Sequence, residues 1–135
     1  MARMKVNGIE YANEQLNKMG RPFIRAVVEA GVKAETDRMK ARIRQLHPGT
    51  GEMEDSVAPG KLHEDIGETW QEVYPQGLDS RGQENNIKAF VINYGRGGKK
   101  TDRMKDYFIT KDDEAGEVVR AAMQAEADRL MSENS

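Results

Sequence analysis

Residues 22–46 read "PFIRAVVEAGVKAETDRMKARIRQL", the longest periodic stretch of the chain. Ile24, Val28, Val32, Met39, Ile43 and Leu46 recur at spacings of three, four and seven, with Val27 and Ala30 beside them. That is the period of a helix burying one face. Pro22 suits a first helical turn, where its missing N–H costs nothing. Arg38, Lys40, Arg42 and Arg44 gather away from the apolar stripe, with Glu35 and Asp37 among them as counter-charges. The plain reading of such a face is a solvated surface; the sharper one is a basic contact for a polyanion. "HPGTG" at 47–51 ends the helix, because proline disfavours helical geometry in the residue before it and two glycines follow.

To the N-terminal side, "GIEYANEQLNKMG" (8–20) places Ile9, Ala12, Leu16 and Met19 at helical spacing, with Gly20 as a stop. To the C-terminal side the period changes. "ETWQEVY" (68–74) is rich in β-branched and aromatic residues and ends at Pro75, which predicts a strand. "NIKAFVINY" (86–94) reads as the strongest strand, apolar at both parities, with "PQGLDSRGQEN" as a hairpin connection before it. "DYFIT" (106–110) reads as a third, short strand. "EMEDSVAPG" (52–60) stays open between a strand and a short helix. The last helix follows Thr110, a cap candidate; Asp112, Asp113 and Glu114 complement its dipole and Val119, Met123, Ala127 and Leu130 form its buried stripe. "SENS" at the end is expected to fray.

These elements predict an α+β fold in which a long N-terminal amphipathic helix and a C-terminal helix pack on a small antiparallel sheet. The 135 residues form one domain, 1–135, with loops expected near 47–60, 75–86 and 95–105. Hydrophobic residues are 37 % and charged residues 33 % of the chain. The core is therefore thin, and much of the chain is expected on a wet surface or in a subunit contact. The formal net charge of -2 argues against a general nucleic-acid binder but allows a local basic patch. No cysteine is present, which removes thiolate chemistry. No apolar run approaches the roughly 18 residues that span a bilayer, and the first residues lack the apolar core of a signal peptide. A soluble protein made inside the cell, with no membrane contact, is the expectation.

"INYGRGGKK" (92–100) raises the question of phosphate binding. It matches neither the Walker pattern nor G-x-G-x-x-G, and an extended segment rather than a helix is expected to follow. Arg96, Lys99, Lys100, Arg103 and Lys105 against Asp102 and Asp106 instead make a basic loop. It suits DNA phosphates or carboxylates on a partner, or is merely solvated. His47 and His63 lie outside any H-x-x-x-H or H-E-x-x-H spacing, so no metal is expected. No serine sits in G-x-S-x-G. Trp70 and Tyr74 share one face of the predicted strand, either as core residues or as an anchor for a subunit contact. The residues define no catalytic constellation and no cofactor site.

The order of elements, with Pro48, Thr50, Gly51, Met53 and Ser56 after the long helix, then Tyr94-Gly95, then Phe108 before Thr110, resembles the gene-product-ten-like family of tailed bacteriophages, which is similar to the lambda minor tail protein Z group. The resemblance spans roughly residues 5 to 131. It departs from the family at Asn93-Tyr94-Gly95-Arg96, where "E-x-G-T" is usual, and at Tyr107-Phe108-Ile109, where "R-P-F" is usual. It implies a non-enzymatic virion protein of the neck or tail-completion type. Such a protein works as copies of itself in a ring, against head-completion or connector proteins on one side and tail-tube or tail-terminator proteins on the other. Arg96, Lys99, Lys100, Arg103, Lys105, Arg38 and Arg42 are then the expected contacts between subunits or with DNA in the channel. The alternative from another class is a small nucleic-acid-binding regulator that uses the basic helix face.

Overall fold

The computed structural model describes residues 3–8, 20–46, 49–65, 68–94 and 113–133. In chain order the elements are β1 (Met4–Asn7), α1 (Arg21–Leu46), α2 (Glu52–Ser56), β2 (Val57–Pro59), β3 (His63–Asp65), β4 (Glu68–Pro75), α3 (Asn85–Tyr94) and α4 (Asp113–Glu133). The fold is α+β, with both long helices where the periodicity placed them.

Strand β4 organises the sheet. β1 pairs antiparallel along one edge, with Met4 opposite Val73 and Asn7 opposite Trp70. β2 and β3 share the other edge, with Val57 opposite Pro75 and His63 opposite Trp70. Side chains alternate across a strand, so Val6, Val57, Val73 and Pro75 point toward the helices and are buried. Lys5, Trp70, Glu72 and Tyr74 then share the opposite face.

Helix α1 lies across the inner face of this sheet. Phe23, Ile24, Val27, Val28, Val32, Met39 and Ile43 are buried along it. Each such side chain contributes roughly 1.5–3 kcal/mol relative to exposure, so this stripe dominates the core. Helix α4 adds Val119, Met123 and Ala127 to the same core, with Leu130 partly buried beside them. The two helices meet closely at Gly31. A Cβ there would stand 2.8 Å from the Met123 Cγ and 2.8 Å from the Val6 Cγ1. A larger residue there would have to displace the Met123 and Val6 side chains.

Three expectations are corrected. Residues 86–94 are helix, not strand, and no hairpin joins them to β4. Asn86 and Ala89 face inward, whereas Ile87 and Phe90 are exposed. The segment at 52–60, expected within a loop, forms α2 and then β2, so both local readings hold in succession. Arg38 does not belong to the solvated basic face. It is 8 % exposed and paired with Glu35, which is fully buried. β1 was not anticipated. The expected helix over 8–20, apart from its end residues, the basic loop, the strand at 106–110 and the Thr110 cap lie outside the described residues. No helix among the described residues is long and apolar enough to cross a membrane.

Candidate functional site

The most organised polar region lies where the turn after α1 meets the loop between β4 and α3. Gly51 sits at φ +86°, a left-handed conformation that glycine adopts at little cost. It sets the direction of α2, whose Met53 is buried and whose Ser56 hydroxyl donates to the Met53 carbonyl at 2.6 Å. Thr50, Gly51, Met53 and Ser56 therefore build the passage from α1 into the sheet.

Glu52 reaches from α2 to the neighbouring loop. Its carboxylate accepts from the Ser80 N–H at 3.1 Å and the Ser80 hydroxyl at 3.2 Å. It also accepts from the Thr50 hydroxyl at 3.1 Å. Asp79 organises the loop from within. One oxygen accepts from the backbone N–H groups of Arg81 and Gln83, both at 2.9 Å. The other accepts from the Lys88 ammonium of α3 at 2.5 Å. These donors, Lys88 first, push the Asp79 carboxyl down to about 2. A Leu78–Glu84 bridge and the Gly82 N–H bond to the Asp79 carbonyl close the loop. Asn85 ties it to the end of β4 by donating to the Gln76 carbonyl at 3.0 Å.

Turn and loop border a cleft of about 300 Å³ lined by Thr50, Glu52, Asp79, Arg81 and Lys88 among others. Both carboxylates there already accept several donors. The chemistry of the site is accordingly positional: it fixes a loop that carries Leu78, 64 % exposed, and an exposed Arg81. Ile87, 51 % exposed, follows on the first turn of α3. The sequence placed a loop here, as a hairpin connection, but not its internal order, although "DSRG" at 79–82 is a turn signature with a residue, Asp79, suited to accept its own backbone.

The residues singled out from sequence fare differently. Arg38 gives two hydrogen bonds to Glu35, at 2.9 and 2.7 Å, inside the core. Arg42 is half-buried and bonds Gln45 at 3.2 Å. Arg44 holds Glu54 of α2 through both its Nε and a terminal nitrogen, which lowers the Glu54 carboxyl below its ordinary range. Arg96, Lys99, Lys100, Arg103 and Lys105 lie outside the described residues.

The aromatic residues of β4 are neither core nor open platform. Trp70 stacks on His63 with ring centres 4.0 Å apart and planes 9° from parallel. Lys5 lies 4.4 Å over the same indole, from the opposite edge of β4. The Trp70 N–H donates to Asp65 at 3.2 Å. Arg3 covers Tyr74 at 4.2 Å. Among the described residues, no three His, Asp or Glu side chains group as metal ligands.

No family's sequence profile matches this chain, and neither a curated protein nor a solved structure matches it.

Proposed function

We propose that the chain is a structural virion protein of a tailed phage or prophage, part of a ring at the head–tail junction. The observation that carries the reading is the role of four of the residues on which the phage resemblance rests; Tyr94, another of them, ends a helix rather than the strand expected there. Thr50, Gly51, Met53 and Ser56 form a turn, a buried anchor and a helix-to-strand junction. Residues with such architectural roles suit a family defined by its scaffold. In a ring each copy meets two neighbours through two different surfaces, and a thin-cored subunit gains stability from them. The neighbours along the axis are head-completion or connector proteins and tail-tube or terminator proteins.

The nucleic-acid-binding regulator is the weaker reading. Arg38 is occupied by Glu35 and Arg44 by Glu54, which reduces the charge that the helix face offers to phosphates. Mass spectrometry of purified parent virions tests the proposal. The chain is expected in finished particles at a constant copy number per portal; its absence from washed virions would overturn the reading.

A further inference from the structure

The loop at 77–84 is held more firmly than its own exposure requires. A shielded carboxylate, Asp79, binds two of its backbone N–H groups and the α3 lysine, and Glu52 grips its crest. Yet the loop presents Leu78 to solvent, and Ile87 is exposed on the first turn of α3, just after the loop. It also carries an exposed cation and an exposed anion, Arg81 and Glu84, three residues apart. Among the described residues neither side chain has an ionic partner. A preordered segment with an apolar tip loses little entropy on docking.

The outer side of α4 carries the reverse doublet. Glu117 and Arg120 are exposed and three residues apart, one helical turn, and Ala121 is exposed next to Arg120. Neither charge has an ionic partner among the described residues. By contrast Arg129, further along the helix, is engaged by Glu126 at 2.5 Å and Glu133 at 2.7 Å. The two doublets belong to different parts of the molecule. α4 packs against α1, whereas α3 and its loop pack against β4 and α2.

We infer that the 78–87 surface of one copy docks on the Glu117–Ala121 face of a second copy, head to tail, with Arg81 against Glu117 and Glu84 against Arg120. Leu78 and Ile87 then leave water against Ala121 and the surface around it. Such a contact joins two different surfaces, so it propagates from copy to copy and closes when the rotation permits. The inference deepens the ring reading and rests on it for its biological setting, but the contact itself stands on the charges and apolar residues named.

Sedimentation of the full chain over a dilution series tests it, at low and at moderate salt. The native chain is expected to self-associate, less so as salt rises. Arg81→Glu and Glu117→Arg are each expected to weaken association by about tenfold or more, since each sets like charges face to face. Combined in one chain, Arg81→Glu with Glu117→Arg should recover most of the loss. All these positions are exposed, so the variants keep the fold, which circular dichroism verifies. A native chain that stays monomeric at low salt would overturn the contact, as would a double variant no better than either single one. Failure of the contact leaves particle composition unchanged as a test of the virion role, so the two ideas fall separately.

Discussion

Glu35 and Arg38 form a two-pronged ion pair in the core, one turn apart on α1, with Glu35 wholly shielded from solvent. Two charges removed from water are costly unless each satisfies the other, and breaking such a pair by removing one partner strands the survivor.

Arg38→Met is therefore expected to destabilise the fold by about 3 kcal/mol or more. Replacing both residues, Glu35→Leu with Arg38→Met, is expected to recover most of that loss. Urea unfolding followed by Trp70 fluorescence measures both; the chain has a single tryptophan. Equal loss in the single and double variants would contradict the account of the pair.

At Gly31 the Met123 and Val6 side chains press against the α1 backbone, each with an atom 2.8 Å from where a Cβ would stand. Alanine would gain about 1 kcal/mol of helix propensity at an unobstructed site. Here overpacking opposes it, and a valine has no room. Gly31→Val is expected to cost about 2–3 kcal/mol, and thermal unfolding of the variant reads the loss.

The stack of Lys5, Trp70 and His63 ties β1, β4 and β3 across the outer face of the sheet. His63→Ala is expected to lose about 1 kcal/mol beyond the area it uncovers, the usual worth of an aromatic pair. A cycle combining it with Trp70→Leu isolates that coupling, and a coupling of zero would show that the rings stack without stabilising.

Asp79 makes the loop sensitive to acid. Its carboxyl is pushed from an ordinary 3.8 to about 2 by the Lys88 ammonium and two backbone N–H groups. A lowered folded-state value means stability that is present above about pH 4 and lost as pH falls toward 2. Glu54 and Glu64, lowered by Arg44 and Arg25, act in the same direction. The difference in urea midpoint between the native chain and Asp79→Asn is expected to be constant from pH 5 to pH 7 and to shrink below pH 4.

The sequence disclosed the elements whose periodicity is long or whose composition is one-sided. α1 and α4 showed themselves by spaced aliphatics, and β4 by Thr69, Trp70, Val73 and Tyr74. Residues 86–94 misled because so short a segment, apolar at both parities, fits a buried strand as well as a helix by periodicity alone. Their helical character shows only in the fold: Asn86 and Ala89, three apart, are buried, Asn86 donating to the Pro75 carbonyl of β4, and Ile87 is exposed. Glu35 carried a cue that was misread. It falls between Val32 and Met39 at helical spacing, so it belongs to the buried stripe, with Arg38 one turn on to neutralise it. The candidate site was harder to foresee. It joins Glu52 to Ser80 and Asp79 to Lys88, and only the tertiary fold brings the first of these together.

In the proposed role the chain joins filled heads to tails. Electron microscopy of a lysate from the parent phage or prophage with this gene deleted tests it most directly. Filled heads separated from finished tails are the predicted result, and expression of the native chain in trans should restore joining. Intact, joined virions in the deletion lysate would contradict the account.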